Sequence, residues 1–223
     1  WLTLAIVSVF GLSLMFIVPP LWGFDETSHF VRVYQTSQGV FISDKSKENF
    51  GGSMPQNYNE VSRYATADIG EAKDPNTFTR QDVNDNEEYK ALLARPFSQT
   101  QEQAINPAGY SPLTYPLSEV LVLLARLLDL NINTTLLLAR LGNLTIYAVL
   151  AYGAVRILSG LKSRWLFFAI AISPVMLMQA ATLSADSAVN GLSLVFMSIL
   201  VLACVQPERM KRRHYITLAL CTI

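Results

Sequence analysis

From Trp1 to Phe24 the chain carries no charged residue. At about 1.5 Å per residue, a helix over this run outreaches the roughly 30 Å of hydrocarbon in a bilayer. Lipid offers the backbone no hydrogen-bond partners, so an element placed there must satisfy its own. The run therefore predicts a first membrane span over 1–24, finishing where Pro19 and Pro20 remove backbone donors and Trp22 suits the water boundary. Its length and its Pro-Pro-Leu-Trp ending separate it from a cleaved leader, so it reads as a retained anchor. The composition agrees: 51% of the residues are hydrophobic and only 15% charged, a balance outside that of ordinary soluble domains. Nothing in it points to a nucleic-acid partner. Cys204 and Cys221 fall in apolar runs, where a thiol behaves as a small hydrophobe and implies no disulfide framework.

Beyond Asp25 the chain turns polar for almost ninety residues, too long for a passive connection. The region 25–135 reads as an outer loop with two juxtamembrane helices. The first covers about 25–38, with Phe30, Val33 and Tyr34 on one face and Gly39 as its stop. The second covers about 113–128, whose sixteen residues make a helix of only about 24 Å and include Glu119 and Arg126. Ser43 to Asn106 reads as irregular, with a modest helical pattern around Asn86–Arg95.

The region 136–223 predicts a transmembrane bundle with spans at about 136–156, 165–185 and 187–206 and the start of another at 214. The fold class is thus all-α and polytopic. Arg156, Lys162 and Arg164, and then Arg209, Lys211, Arg212 and Arg213, belong on the cytoplasmic side. Both clusters land there only when 113–128 lies along the outer leaflet instead of crossing, which brings Asp186 out on the same extracytoplasmic face as Asp25. The chain opens without a methionine and stops inside an apolar run, so it is read as part of a longer protein of the cell membrane.

Four constellations could carry chemistry. Asp25 and His29 are spaced i and i+4, with Glu26 beside them, and on a helix would share a face able to position a hydroxyl or a metal. The plainer account is that the carboxylates favour a helix amino terminus, worth about 0.3–1 kcal/mol; the first histidine of the zinc-protease pattern is missing. Asp186 lies between two apolar runs, a position that suits a site or a helix cap. Arg126 and Arg140 could grip a phosphate or reach lipid headgroups. The stretch Asn106 to Pro116 is a rigid turn carrying Tyr110 and Tyr115. Asn133-Thr134-Thr135 and Asn143-Leu144-Thr145 match the glycosylation pattern, but the second falls in a span and both are set aside.

A first span followed by an acidic pair with a nearby histidine, a long outer loop, Tyr110-Ser111-Pro112 with Tyr115-Pro116, then Ala139-Arg140-Leu141, Pro174 and Asp186: in this order the features resemble the amino-terminal half of GT-C glycosyltransferases. More narrowly, the chain resembles a bacterial family of multi-span membrane proteins of unknown function related to them. The resemblance implies inverting transfer of a sugar from a polyprenyl-phosphate carrier to an extracytoplasmic acceptor. It implies Asp25 as general base with Glu26 beside it, Asp186 as a second acidic residue, Arg126 or Arg140 on the departing phosphate, and His29, Tyr110 and Tyr115 on the substrate. In some members a divalent metal takes part, for which Asp25, His29 and Asp186 would be the ligands. The chain departs from better-known members at Ser111-Pro112-Leu113, where many have a Pro-Pro pair. The competing class is a transporter, flippase or non-catalytic assembly subunit for lipid-linked sugars, which predicts charges lining a path at mid-membrane depth.

Overall fold

The computed structural model describes residues 1–41, 51–62, 87–105 and 110–221. Helix α1 (Leu2–Ile17) ends well before Phe24. Its cap, Val18, is pushed to an extended conformation (φ −78°, ψ 120°) by the proline that follows. The helix has sixteen residues and a length of about 24 Å, shorter than the charge-free run from which the first span was predicted. Leu21 then turns the chain with a φ of 62°, and Gly23 passes so close to the connection at Thr182 that an added Cβ would stand 2.6 Å from that side chain. Helix α2 (Glu26–Ser37) follows, closed by Gly39 at φ 85°.

Parts of the long polar region hold regular structure that its sequence did not announce. Strand β1 (Gly51–Pro55) pairs antiparallel with β2 (Gln101–Ile105), Gly51 opposite Ile105 and Pro55 opposite Gln101. Neither strand shows apolar alternation, so the expectation of irregular chain there is corrected for these segments. Residues 56–62 are helical, and α3 (Glu87–Leu93) lies within the pattern expected around Asn86–Arg95. These pieces settle onto α2 through aromatic packing: Phe30 lies 5.2 Å from Tyr58 and 6.1 Å from Phe97, and Tyr34 lies 5.1 Å from Phe97, centroid to centroid. Buried hydroxyls find backbone partners, Tyr58 donating to Thr27 O (2.9 Å) and Tyr89 to Pro20 O (2.7 Å). The described part of the segment 43–106, expected to be irregular, is therefore a small folded layer; the remainder lies outside the described residues.

The other layer is a helical bundle: α4 (Pro116–Leu127), α5 (Ile132–Ile157), α6 (Arg164–Ala171), α7 (Pro174–Ala181), α8 (Ala185–Val205) and α9 (Arg212–Cys221). Among the described residues α5 and α8 are each long and apolar enough to cross a membrane. The stretch expected as one span at 165–185 is instead two helices bent by 53°, which would make a third crossing if they act as one. The bend falls where Ser173, preceding Pro174, is extended at φ −62°, ψ 147°. Helix α4, with twelve residues and a length of about 18 Å, packs along α5 and α2.

Helix α5 is the axis, touching α1, α4, α7 and α8. Its buried face runs through Leu144, Tyr147, Ala148, Ala151 and Ala154, and the small residues let neighbouring backbones approach. The tightest approach is at Gly142, where a Cβ would stand 2.6 Å from the Ser118 nitrogen and 2.7 Å from its Cα; the Ser118 hydroxyl donates to Ala139 O at 2.8 Å across the same contact. Backbone cannot swing aside as a side chain can, so Gly142→Ala should destabilise the protein by about 1–3 kcal/mol. Gly153 on the same helix faces open space. Gly153→Ala should therefore be neutral or stabilising by up to about 1 kcal/mol. Thermal midpoints of the two variants in one detergent check the contrast.

Candidate functional site

Below the junction of the two layers lies a buried ion pair. Arg140 donates from Nε to Glu26 Oε1 and from Nη2 to Glu26 Oε2, both at 2.6 Å. Its other hydrogens go to the end of α1: Nη1 donates to Met15 O (2.9 Å) and Val18 O (2.7 Å), and Nη2 to Pro19 O (2.7 Å). The five N–H groups of a guanidinium thus meet five acceptors. Three of these are backbone carbonyls at the negative end of a helix whose continuation is blocked by Pro19 and Pro20. Glu26 is equally occupied, accepting also from the backbone N–H of Gly23 and of Leu183, each at 3.0 Å. Relative exposure of the two residues is 0% and 1%. Glu26 as a catalytic carboxylate and Arg140 as a ligand for carrier phosphate therefore meet a physical obstacle: each is wholly engaged with the other and with backbone.

What the pair does is position. Glu26 joins the entrance of α2 to Leu183, in the connection between α7 and α8. One residue before Glu26 is Asp25, and three after Leu183 is Asp186. Asn143 reinforces the connection by donating to Thr182 O at 2.6 Å and to Gln179 O at 3.1 Å. Both aspartates are exposed. Asp25 holds a left-handed backbone (φ 51°) at the cap position of α2 without a side-chain capping bond, so it favours the helix only through its charge near the amino terminus, as the plainer account has it. Asp186 is anchored by Gln179, whose Nε2 donates to Oδ2 at 2.9 Å and whose Oε1 accepts from Asn190 at 2.7 Å.

Between the two lies His29, buried, with Nδ1 2.6 Å from the Tyr115 hydroxyl and its ring 4.6 Å from that of Tyr110. Burial lowers the His29 pKa, and the charges of Asp25, Asp186 and Glu26 oppose this only in part. Burial likewise raises the Tyr115 hydroxyl. At neutral pH the imidazole is uncharged and the phenol keeps its proton, so Nδ1 and the Tyr115 hydroxyl share a neutral hydrogen bond. His29 thus touches Tyr110 and Tyr115 and feels the charges of Asp25 and Asp186, a cluster referred to as the cup. Among the described residues no group of three His, Cys, Asp or Glu side chains is arranged to hold a metal. The metal expected on Asp25, His29 and Asp186 does not fit, because the one imidazole is buried and engaged with Tyr115.

Beside the cup runs an apolar cavity of about 700 Å³ between α1 and α7, lined by Ile6, Phe10, Leu14, Phe24, Pro174 and Met178 among others. It reaches Phe24, the residue before Asp25. Residues 9–223 match the family described as predicted membrane protein (DUF2142). The chain belongs to the DUF2142 family. No curated protein and no solved structure matches it. The family description agrees with the apolar helices, and names a membrane protein without naming an activity.

Not every expected residue of this DUF2142 protein joins the cup. Arg126 lies at the far end of α2, where Nη1 donates to Ser37 O and to Ser37 Oγ (3.1 Å each) and the guanidinium lies 4.9 Å from the centre of the Tyr34 ring. Ser37 is eleven positions beyond Glu26, roughly 16 Å along the helix. Arg126 thus ties α4 to α2. Conversely Arg32, which the sequence reading passed over, is buried and donates from Nε to Tyr110 O (3.1 Å) and from Nη2 to Phe41 O (2.7 Å), holding the tyrosine segment over α2. Its position three residues after His29 and four before Thr36, on one buried face, was the available signal.

The neutral His29 gives the site a pH dependence. Its folded pKa lies below the ordinary 6.5, so an opened site binds a proton more readily than the closed one. The stability this contributes is fully present above about pH 6.5 and is lost as pH falls through the lowered value. Hydrogen exchange of the α2 amides should accelerate from pH 7.5 down to 5, after correction for intrinsic rates, and His29→Asn should flatten that dependence.

Proposed function

We propose that this DUF2142 protein is an inverting membrane glycosyltransferase that moves a sugar from a polyprenyl-phosphate donor to an extracytoplasmic glycan, lipid or protein acceptor. The observation that carries the reading is that two exposed carboxylates, Asp25 and Asp186, both act on the buried His29, with Asp25 next in sequence to Phe24 of an apolar groove. A polyprenyl chain is a hydrocarbon, and the groove presents it with Phe10, Leu14 and Phe24 leading to Asp25. Asp25 takes the proton of an acceptor hydroxyl; that oxygen attacks the anomeric carbon from the face opposite the phosphate. The bond from that carbon to the phosphate oxygen breaks, and polyprenyl phosphate leaves with the electron pair. Because the leaving group is already a stable anion, a positioned base supplies the main assistance. His29 and the tyrosines orient the acceptor, while Glu26 and Arg140 act from beneath as positioning residues. The basic clusters at 156–164 and 209–213, assigned to the cytoplasm by the charge rule, support an extracytoplasmic cup.

The full chain reconstituted in vesicles and supplied with a panel of labelled polyprenyl-phosphate sugars tests the reading. Label should pass to an acceptor with stoichiometric release of polyprenyl phosphate. Movement of intact lipid-linked sugar across the bilayer without transfer would replace the enzyme with a transporter.

A further inference from the structure

The end of the bundle away from the cup carries a different site. A cavity of about 720 Å³ opens where α5 ends and the connection from α8 to α9 passes, and its walls include Arg156, Arg209, Lys211, Arg213 and His214 with a single carboxylate, Glu208. Helix ends and the charge rule account for cations at this end of the bundle. Four of them line one cavity, where an anion seated among them would relieve their like-charge repulsion. Two groups on the wall are held in place. Arg209 donates from Nη1 to Gln206 Oε1 at 2.6 Å. His214, 8% exposed, accepts the Lys211 backbone N–H on Nδ1 at 3.2 Å, which leaves Nε2 to carry the ring hydrogen in the neutral form. The cavity therefore combines guanidinium forks, an ammonium and a fixed imidazole donor from several directions, a set suited to a tetrahedral oxyanion.

We propose that this cavity binds a phosphate group, either the headgroup phosphate of an anionic lipid or a soluble phosphate compound. The volume admits a phosphate together with what it esterifies. Basic pockets between membrane helices at the boundary take anionic headgroups in this way. Trp165, stacked with the guanidinium of Arg164 at 4.7 Å, marks the same end of the molecule as a boundary. The site stands independently of the chemistry proposed at the cup.

The test uses the full chain in phosphatidylcholine nanodiscs, with thermal stability and retained lipid by native mass spectrometry as readouts. Inorganic phosphate is titrated against chloride at equal ionic strength, and a parallel series replaces part of the phosphatidylcholine with phosphatidylglycerol. Saturable stabilisation by phosphate supports the soluble source; selective retention of phosphatidylglycerol supports the lipid. Arg209→Gln and Arg213→Gln, each leaving three cations on the wall, should weaken the response about 10- to 100-fold. Lys162→Gln, the same charge change outside the cavity lining, should leave it intact. Absence of a saturable response to either probe in the unmodified protein, or equal weakening by all three substitutions, overturns the proposal. The unmodified-protein arm holds even if a variant fails to fold.

Discussion

Arg140→Met is expected to lower the stability of the protein by about 3–5 kcal/mol, the largest effect of any substitution considered. The change removes two charge-assisted bonds from Glu26 and uncaps three carbonyls at the end of α1. Glu26 has no exposed surface through which water could replace them, and its remaining partners are two backbone N–H groups. An isolated buried carboxylate is costly for that reason. Combining Arg140→Met with Glu26→Leu removes the stranded charge, so the double variant should recover part of the loss. Recovery should be incomplete, because Met15, Val18 and Pro19 still lack their donor. Thermal midpoints of the two single variants and the double variant form a cycle that separates the charge from the cap. Full additivity of the two substitutions would contradict the pairing.

The same pair shows how far the sequence could be read. That Glu26 is buried follows from helical period, since Glu26, His29, Phe30 and Val33 repeat at the spacing of one face. That Asp25 next to it is exposed follows from its place before the helix starts. Which partner neutralises Glu26 was not legible, because Arg140 lies 114 residues away and its role depends on how α1 and α5 pack. Reading Arg126 and Arg140 as alternatives for one phosphate treated them by composition; their three-dimensional partners differ entirely. That Asp25 and Asp186 share one end was an expectation drawn from the alternation of spans and the placement of positive charge. Both charges act on His29, although the first run and the 165–185 run fold as a shorter helix and a bent pair.

Breaks in the helices were half legible. Val18-Pro19-Pro20 and Ser173-Pro174 announce themselves by the missing donor and the constraint on the preceding residue, yet hydropathy alone ran straight through both. The paired strands were not visible because Gly51–Pro55 and Gln101–Ile105 lack alternating apolar residues and meet across a long stretch of chain. Their contribution is to the layer over α2, where the aromatic residues of α2 could be assigned a buried face but not a partner.

At Asp25 one substitution separates chemistry from structure. Asparagine tolerates the left-handed backbone that Asp25 adopts, and the carboxylate makes no capping bond that the amide would have to replace. Asp25→Asn should therefore leave the fold and the thermal midpoint nearly unchanged. It removes the charge that acts on His29 together with the capacity to accept a proton, and for a general base the latter loss lowers the rate by about 10²- to 10⁴-fold. The measurement is the initial rate of sugar transfer from a polyprenyl-phosphate donor by the full-length protein in vesicles, with donor binding followed in parallel. The account predicts that transfer collapses while donor binding and stability persist; undiminished transfer by Asp25→Asn would contradict it.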